Sequence, residues 1–381
     1  MIRCCDAPSG RGATRRGGRN DEAMGRKRMR DLKLSALWAI GTAGLALLAL
    51  AGPVGANDSS AELSTGGLVL TANGDIEMRS EDLYVSPAQI RVNYVFYNPT
   101  DRDVTTLVAF PMPDIVVDGP DAIITVPTQD PVNLFGFIAK INGDPVSTHV
   151  EQKALAGGKD RTEVLRRLEV PLAPHLATTQ TAIDALPAAA KKELKDLGMV
   201  ETSEYDAGKG METHFEPRWT LKSTFFWNQT FPKNADTAIE HTYAPSVGGA
   251  AQTLVGRDKQ AMRDEDGYIR DEIARYEKKY CLDDALVSTL EKARKGSGQD
   301  LAPYAEQRIS YILKTGANWA KPIGSFRLVV DKIKPSYLVS FCGEGVKKIA
   351  ATEFEMKKQD FTPSSDLDIL FLLPMGAGTE E

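Results

Sequence analysis

The sequence predicts a mainly β protein with α insertions, an α+β chain built on an antiparallel β-sandwich. Three observations carry that expectation. Apolar and polar residues alternate over long stretches between Glu62 and Phe110, the period of a strand whose two faces see different surroundings. The turn dipeptides Asn73-Gly74 and Asn142-Gly143 punctuate such runs. Strand-like blocks also follow one another with no helix between them until the segment near 180–198, the pattern of a sandwich rather than of alternating β and α units.

Residues 1–56 stand outside that fold. Met1–Asn20 is rich in Arg and Gly and has no apolar period, so it cannot bury enough surface to fold. Met24 or Met29 is a better start, because "MGRKRMRDLK" then supplies a basic segment ahead of the apolar run Leu34–Gly52. Val54 and Ala56 are the small residues that a signal peptidase requires, which places the cut after Ala56 and the mature start at Asn57. An uncleaved anchor is the alternative, since the run approaches the ~20 residues that span a bilayer. Contact with a membrane is expected only through this segment.

The chain has 381 residues and a formal net charge of −6. Removing the Arg-rich segment makes the remainder more acidic, so no basic surface for nucleic acid is expected. What remains suffices for one large or two ordinary domains. The composition divides it into a sandwich domain, 57–250, with a helical insertion over about 160–212, and a region 251–381 of helices and terminal strands packed on the sandwich.

The elements follow in order. Asn73-Gly74 reads as a tight hairpin turn between two strands. "VNYVFYNPTDRDVTTLVAFPMPDI" reads as a strand, a turn at Asn98–Asp101 and a return strand ended by Pro111 and Pro113, since proline cannot donate to a ladder. Phe135, Phe137, Ala139 and Ile141 alternate into Asn142-Gly143, and the chain returns through Val146, Thr148 and Val150. Ala188–Leu197 has strong helix propensity with Gly198 as a stop. Trp219, Leu221, Phe225 and Trp227 then alternate along a long strand that returns through Ile239, His241 and Tyr243. The segment 257–315 is expected to be helical, with Ile269, Ile273, Tyr276 and Tyr280, then Leu286 and Leu290, then Ile309, Ile312 and Leu313 on buried faces. "SFRLVVDKI", "LVSFCGEG", "TEFEMKKQDF" and "LDILFLLP" read as terminal strands.

Cys281 and Cys342 are the two cysteines beyond the signal segment, and in an exported chain they read as one structural disulfide. His149, His175, His214 and His241 show no ligand spacing with either, so no metal site and no cofactor are expected. No nucleophile elbow, H-E-x-x-H or phosphate loop is present, and no catalytic residue is assigned. "RDEDGYIRDEIARY" fits a calcium loop at Asp264, Asp266 and Gly267 but fails at Met262 and Ile273, where the first and twelfth ligands belong. Phe226, Trp227 and Phe231 form a candidate contact surface, although alternation also accounts for Trp227 as core.

Two resemblances bear on these runs. "NDSSAELSTGGLVLTANGDIEMRSEDLYVS", "VAFPMPD", "TGANWAKPIGSFRLVVDK" and "VSFCGEGVKK" resemble the DUF4424 family of exported bacterial proteins. That resemblance implies an exported, mostly β protein and no particular chemistry. The order of "VNYVFYNPTDRDVTTLVAFPMP", "FGFIAKINGDPVSTHVEQKALA" and "EHTYAP" is also similar to the vault/inter-α-trypsin (VIT) domain, a β-sandwich used for protein contacts. The expected function is that of a periplasmic, non-catalytic binding or accessory module for another envelope component. The alternative is a small-ligand carrier or a carboxylate-based hydrolase, with Glu151, Asp160 and Glu169 meeting between the helical insertion and the sandwich.

Overall fold

The alternating runs do fold as strands, but the chain distributes them among sheets differently from the expected hairpins. The computed structural model describes residues 58–375 apart from 65–66, 118–123, 207, 209 and 259–266. The apolar signal segment, Ala56 and Asn57 lie outside the described residues, as do Asp264 and Asp266 of the partial calcium pattern.

β1 (Ser59–Ser64), β2 (Gly67–Thr71), β3 (Glu77–Val85), β4 (Ile90–Asn98) and β5 (Val104–Pro111) come first. β6 (Ile124–Thr125), β7 (Ile138–Ile141), β8 (Asp144–Val146), β9 (His149–Ala156) and β10 (Lys159–Asp160) follow. The insertion supplies α1 (Thr162–Arg167), α2 (Ala177–Ala185), α3 (Ala188–Asp196), β11 (Val200–Asp206) and β12 (Met211–Pro217). Then come β13 (Thr220–Phe231), β14 (Ala235–Tyr243), β15 (Val247–Ala250), α4 (Gly267–Lys279) and α5 (Asp284–Ser297). β16 (Tyr304–Tyr311), a 3-10 turn at Lys314–Asn318, β17 (Ile323–Asp331), β18 (Leu338–Phe341), β19 (Lys347–Lys348), β20 (Glu353–Phe361) and β21 (Leu367–Pro374) complete the order.

One sheet runs β10-β9-β13-β5-β1-β2, a second β19-β20-β17-β3-β4-β14-β7-β8, and a third β18-β21-β16-β15-β6. β11 and β12 form a two-stranded sheet of their own, and the six- and five-stranded sheets pack on the same face of the eight-stranded one. Trp227 of β13 meets His241 of β14 edge-on at 5.5 Å, and Tyr94 of β4 shares a 3.1 Å hydrogen bond with Tyr311 of β16. The shared core includes Phe96, Phe110, Phe137, Phe225, Phe231, Phe326 and Phe371. β17 joins β3 in parallel, an exception to the antiparallel expectation. The terminal strands β17 and β20 are thus members of the large sheet, and the expected division at 250/251 falls inside one continuous core.

Three expected reversals are not hairpins. β4 pairs with β3 and β14, whereas β5 pairs with β1 and β13, so the turn after Asn98 carries the chain from one sheet to the other. β13 and β14 separate in the same way, as do β2 and β3 around Asn73-Gly74. Asn73 Oδ1 accepts the backbone N–H of Asp75 and Ile76, a side-chain turn that redirects the chain without a ladder. Asn98 is fully buried and holds two of these arches together. Its Nδ2 donates to the carbonyls of Arg102 (2.8 Å) and Phe231 (2.9 Å), and its Oδ1 accepts from the N–H and hydroxyl of Thr100.

The Asn142-Gly143 hairpin forms between β7 and β8, with Asn142 and Gly143 both at positive φ, but the return strand stops at Val146 and Val150 belongs to β9 in the six-stranded sheet. α3 begins after Pro187, whose fixed φ suits a helix start, and gives way to Gly198 at φ +69°. α5 is capped by Asp283, which accepts the Leu286 N–H at 2.7 Å, and ends at Gly298 in the left-handed region. The expected third helix is strand β16 instead. Its alternate residues serve two layers: Ile309 and Tyr311 enter the main core, while Tyr304 joins a smaller core under α4 and α5. Among the described residues no helix is long and apolar enough to cross a membrane.

Candidate functional site

The expected site between insertion and sandwich is filled by side chains. Leu165, Ile183 and Leu194 of α1–α3 pack with Ala154, Ala156 and Trp219 of the sheet, and the Trp219 indole donates to the Leu172 carbonyl at 2.7 Å. The three carboxylates do not converge on a common point. Glu151 accepts the Leu68 N–H and pairs with Lys153 at 3.2 Å, Asp160 accepts from Thr162 at the start of α1, and Glu169 is exposed at φ +56°.

The aromatic contact surface divides. Trp227 and Phe231 are buried in the core at 2% and 0% exposure, which corrects the expectation for both: the strand's even alternation turns them inward. Phe226 is half-buried on the outer face, its ring 5.4 Å from that of His149. Cys281 and Cys342 form the disulfide, an exposed bridge from the end of α4 to the residue after β18. Ser340, two residues earlier, donates its hydroxyl to the Tyr280 carbonyl at 2.9 Å.

Beside that bridge lies a feature that the sequence did not announce. A cleft of about 520 Å³ opens between α4 and the five-stranded sheet, lined by Glu272, Arg275, Tyr276, Lys278, Lys279, Tyr280 and Arg308. Glu272, Arg275, Tyr276 and Lys279 recur at i, i+3, i+4 and i+7 and so share one face of the helix. Period two does the same on the sheet: Glu306 and Arg308 of β16 and Asp368 and Leu370 of β21 all turn toward α4. Gly248 and Gly249 of β15 carry no side chain, and the Arg308 guanidinium reaches across to donate to the Gly249 carbonyl at 2.7 Å.

Arg308 is held chiefly by neutral partners. It donates to the Tyr276 hydroxyl at 2.6 Å, and Glu306 Oε2 stands 3.9 Å away. Glu306 itself is 4% exposed and accepts from the hydroxyls of Thr253 (2.7 Å) and Tyr276 (3.1 Å). Burial raises its carboxyl above the ordinary range, a shift that the hydrogen bond from Thr253 and the charge of Arg308 only partly offset. The Tyr276 hydroxyl is pushed up to about 12, first by burial and then by the charge of Glu306. Arg275 pairs with Glu272 and Lys279 with Asp368, whereas Lys278 makes no ion pair among the described residues. A second groove, about 670 Å³, is lined by Asp258, Glu277, Asp284, Glu291, Arg294 and Lys295 among others.

A second polar group lies within the main core. His241 Nε2 and Asp58 Oδ1 are 2.9 Å apart at zero exposure, with the rings of Tyr94, Phe110, Phe137 and Trp227 around the imidazole. The Trp319 indole donates to the Asp58 carbonyl and Asn318 to the Ser59 hydroxyl, so the first described residues are tied into the interior. Both side chains are fully buried, which places the pair within the core. Among the described residues no three metal-ligating side chains come together.

Fold and cleft define a layered β protein with a cationic, tyrosine-lined surface site pinned by a disulfide. The chain belongs to the DUF4424 family: the model of this domain of unknown function matches residues 56–370. No curated protein matches it. Among solved structures it is similar to a "putative nutrient binding protein" from Legionella pneumophila subsp. pneumophila str. Philadelphia 1. The TM-score is 0.38 with 16% identity, over 83% of this chain and 70% of that one.

Proposed function

We propose that the protein is an exported, non-catalytic binding or accessory module of the cell envelope, and that it contacts its ligand or partner through the cleft between α4 and the five-stranded sheet. The observation that carries this reading is the way the cleft's ionisable groups are used. The Tyr276 hydroxyl accepts from Arg308 and donates to Glu306, a chain of hydrogen bonds that holds a guanidinium at a fixed place and suits recognition more than proton transfer. The apolar, small-residue pattern of residues 34–56 and the Cys281–Cys342 bridge support export, since such bridges persist in oxidising compartments.

The test is crosslinking of the tagged protein in intact cells, followed by mass spectrometry of what travels with it. The reading expects one envelope component in near-stoichiometric amount, lost on Lys278→Glu and kept on Phe226→Ser. Recovery of the protein alone, or of a component indifferent to Lys278→Glu, would sink it.

A further inference from the structure

We propose that the cleft binds a phosphate group, gripped by Arg308 from the sheet and Lys278 from the helix, with Arg275 at the rim; this rests on the binding reading above and names the chemistry of what is bound. The argument is one of charge and shape. Arg275 and Lys279 each have a carboxylate partner in Glu272 and Asp368. Lys278 has none among the described residues, and the nearest carboxylate to Arg308 stands at 3.9 Å, outside hydrogen-bond range. The site therefore keeps one uncompensated positive charge with Glu306 ionised and two with Glu306 neutral, and the burial of that carboxylate favours the neutral form.

Two of the Arg308 nitrogens are fixed by the Tyr276 hydroxyl and the Gly249 carbonyl, so the planar fork is already oriented before any anion arrives. A preorganised guanidinium loses less freedom on binding and matches phosphate oxygens geometrically. The end of α4 contributes about half a negative charge to the neighbourhood, which opposes an anion. Lys278 in that last turn, with a full positive charge and no ion-pair partner among the described residues, outweighs it. Convergence from two elements separates this site from an ordinary basic last turn: Arg308 belongs to β16, where it has no helix end to neutralise.

The test is calorimetric titration of the oxidised full chain with inorganic phosphate. Saturable binding of one phosphate is expected, with Lys278→Glu weakening it at least about tenfold, because attraction at contact distance becomes repulsion. Arg308→Lys should weaken it comparably with an unchanged circular dichroism spectrum, and Lys347→Glu, on the exposed edge strand of the eight-stranded sheet and outside the cleft lining, should leave it unchanged. If Arg308→Lys fails to fold, Lys278→Glu still decides. Absence of saturation in the wild type, or equal affinities for Lys278→Glu and Lys347→Glu, overturns the proposal.

Vesicles of phosphatidic acid in phosphatidylcholine, compared with phosphatidylcholine alone, then identify the source. Co-sedimentation lost on Lys278→Glu places the phosphate on a lipid; binding of inorganic phosphate without co-sedimentation places it on a soluble ligand. A crosslinked envelope component that depends on Lys278 while phosphate fails to bind removes this proposal and leaves the binding reading intact.

Discussion

Replacing both Cys281 and Cys342 by Ser should cost about 4 kcal/mol of stability. The bridge closes a sequence separation of 61 residues that contains α5, β16 and β17. Constraining a loop of that length removes about 14 cal/mol/K of entropy from the unfolded chain, or about 4 kcal/mol at 25 °C. The folded chain should change little. Both cysteines are exposed, so serine leaves no cavity, and Ile273, Tyr276 and Tyr280 still seat α4 on the sheet. The double variant is the proper comparison, because a single replacement leaves a reactive thiol.

The assay is equilibrium urea unfolding followed by far-ultraviolet circular dichroism, with wild type under oxidising conditions against the double variant. Reduced wild type should coincide with the variant. A difference below about 1 kcal/mol would refute the reasoning, since it would mean that the reduced unfolded chain already holds these segments together. A separate early transition in the variant alone would instead place the bridge's contribution on α4 and α5, which sit over a small core of their own.

Other outcomes follow from burial and hydrogen bonding. Trp227→Ala and Phe231→Ala should each cost about 3–5 kcal/mol by urea unfolding, and Phe226→Ala under about 1.5, because only the first two leave cavities in the core; equal costs would contradict the assigned faces. Asn98→Ala should cost about 2–3 kcal/mol, since it strands the Arg102 and Phe231 carbonyls between two arches; a loss under about 0.5 would show that the arches hold without the pin. Glu306 has a folded-state pKa above its ordinary 4.5, so folding takes up a proton there. Its contribution is complete below the ordinary value and is lost as pH rises through the raised one. Wild type should therefore lose stability relative to Glu306→Gln as pH rises from the ordinary carboxylate value through the raised one, and a constant difference would contradict the burial argument.

The composition of the fold was legible because strand and helix periods are local properties. α3 with Pro187 and Gly198, and the β7–β8 hairpin at Asn142-Gly143, appear where their turn and cap residues place them. Topology was less legible. A tight turn between two alternating runs specifies that the chain reverses, and the same inward residues serve a hairpin or an arch. In a hairpin Phe96 and Val104 would lie along one face of one sheet; in the arch they face the same core from opposite sheets. The residue that distinguishes the two is Asn98. A hairpin turn leaves an asparagine side chain in water, whereas here it is fully buried with four hydrogen bonds.

The cleft escaped for a related reason. In Tyr304–Tyr311 and the residues after it, Ile309, Ile312 and Leu313 mimic a helical stripe, yet the last two fall beyond the strand. Read as a helix, the segment sends Glu306 and Arg308 to different sides and no site forms. Read as a strand, i and i+2 place a buried carboxylate and a guanidinium side by side under α4. A central strand that must feed two cores shows apolar residues on both faces, so the polar pair Glu306 and Arg308 on one of them is the signal that matters. Burying the Glu306 carboxylate costs free energy that an apolar residue would not incur. On the binding reading proposed above, a strand keeps the pair at the mouth of a cleft, with Tyr276 and Gly249 fixing the guanidinium, for the sake of what the guanidinium meets there.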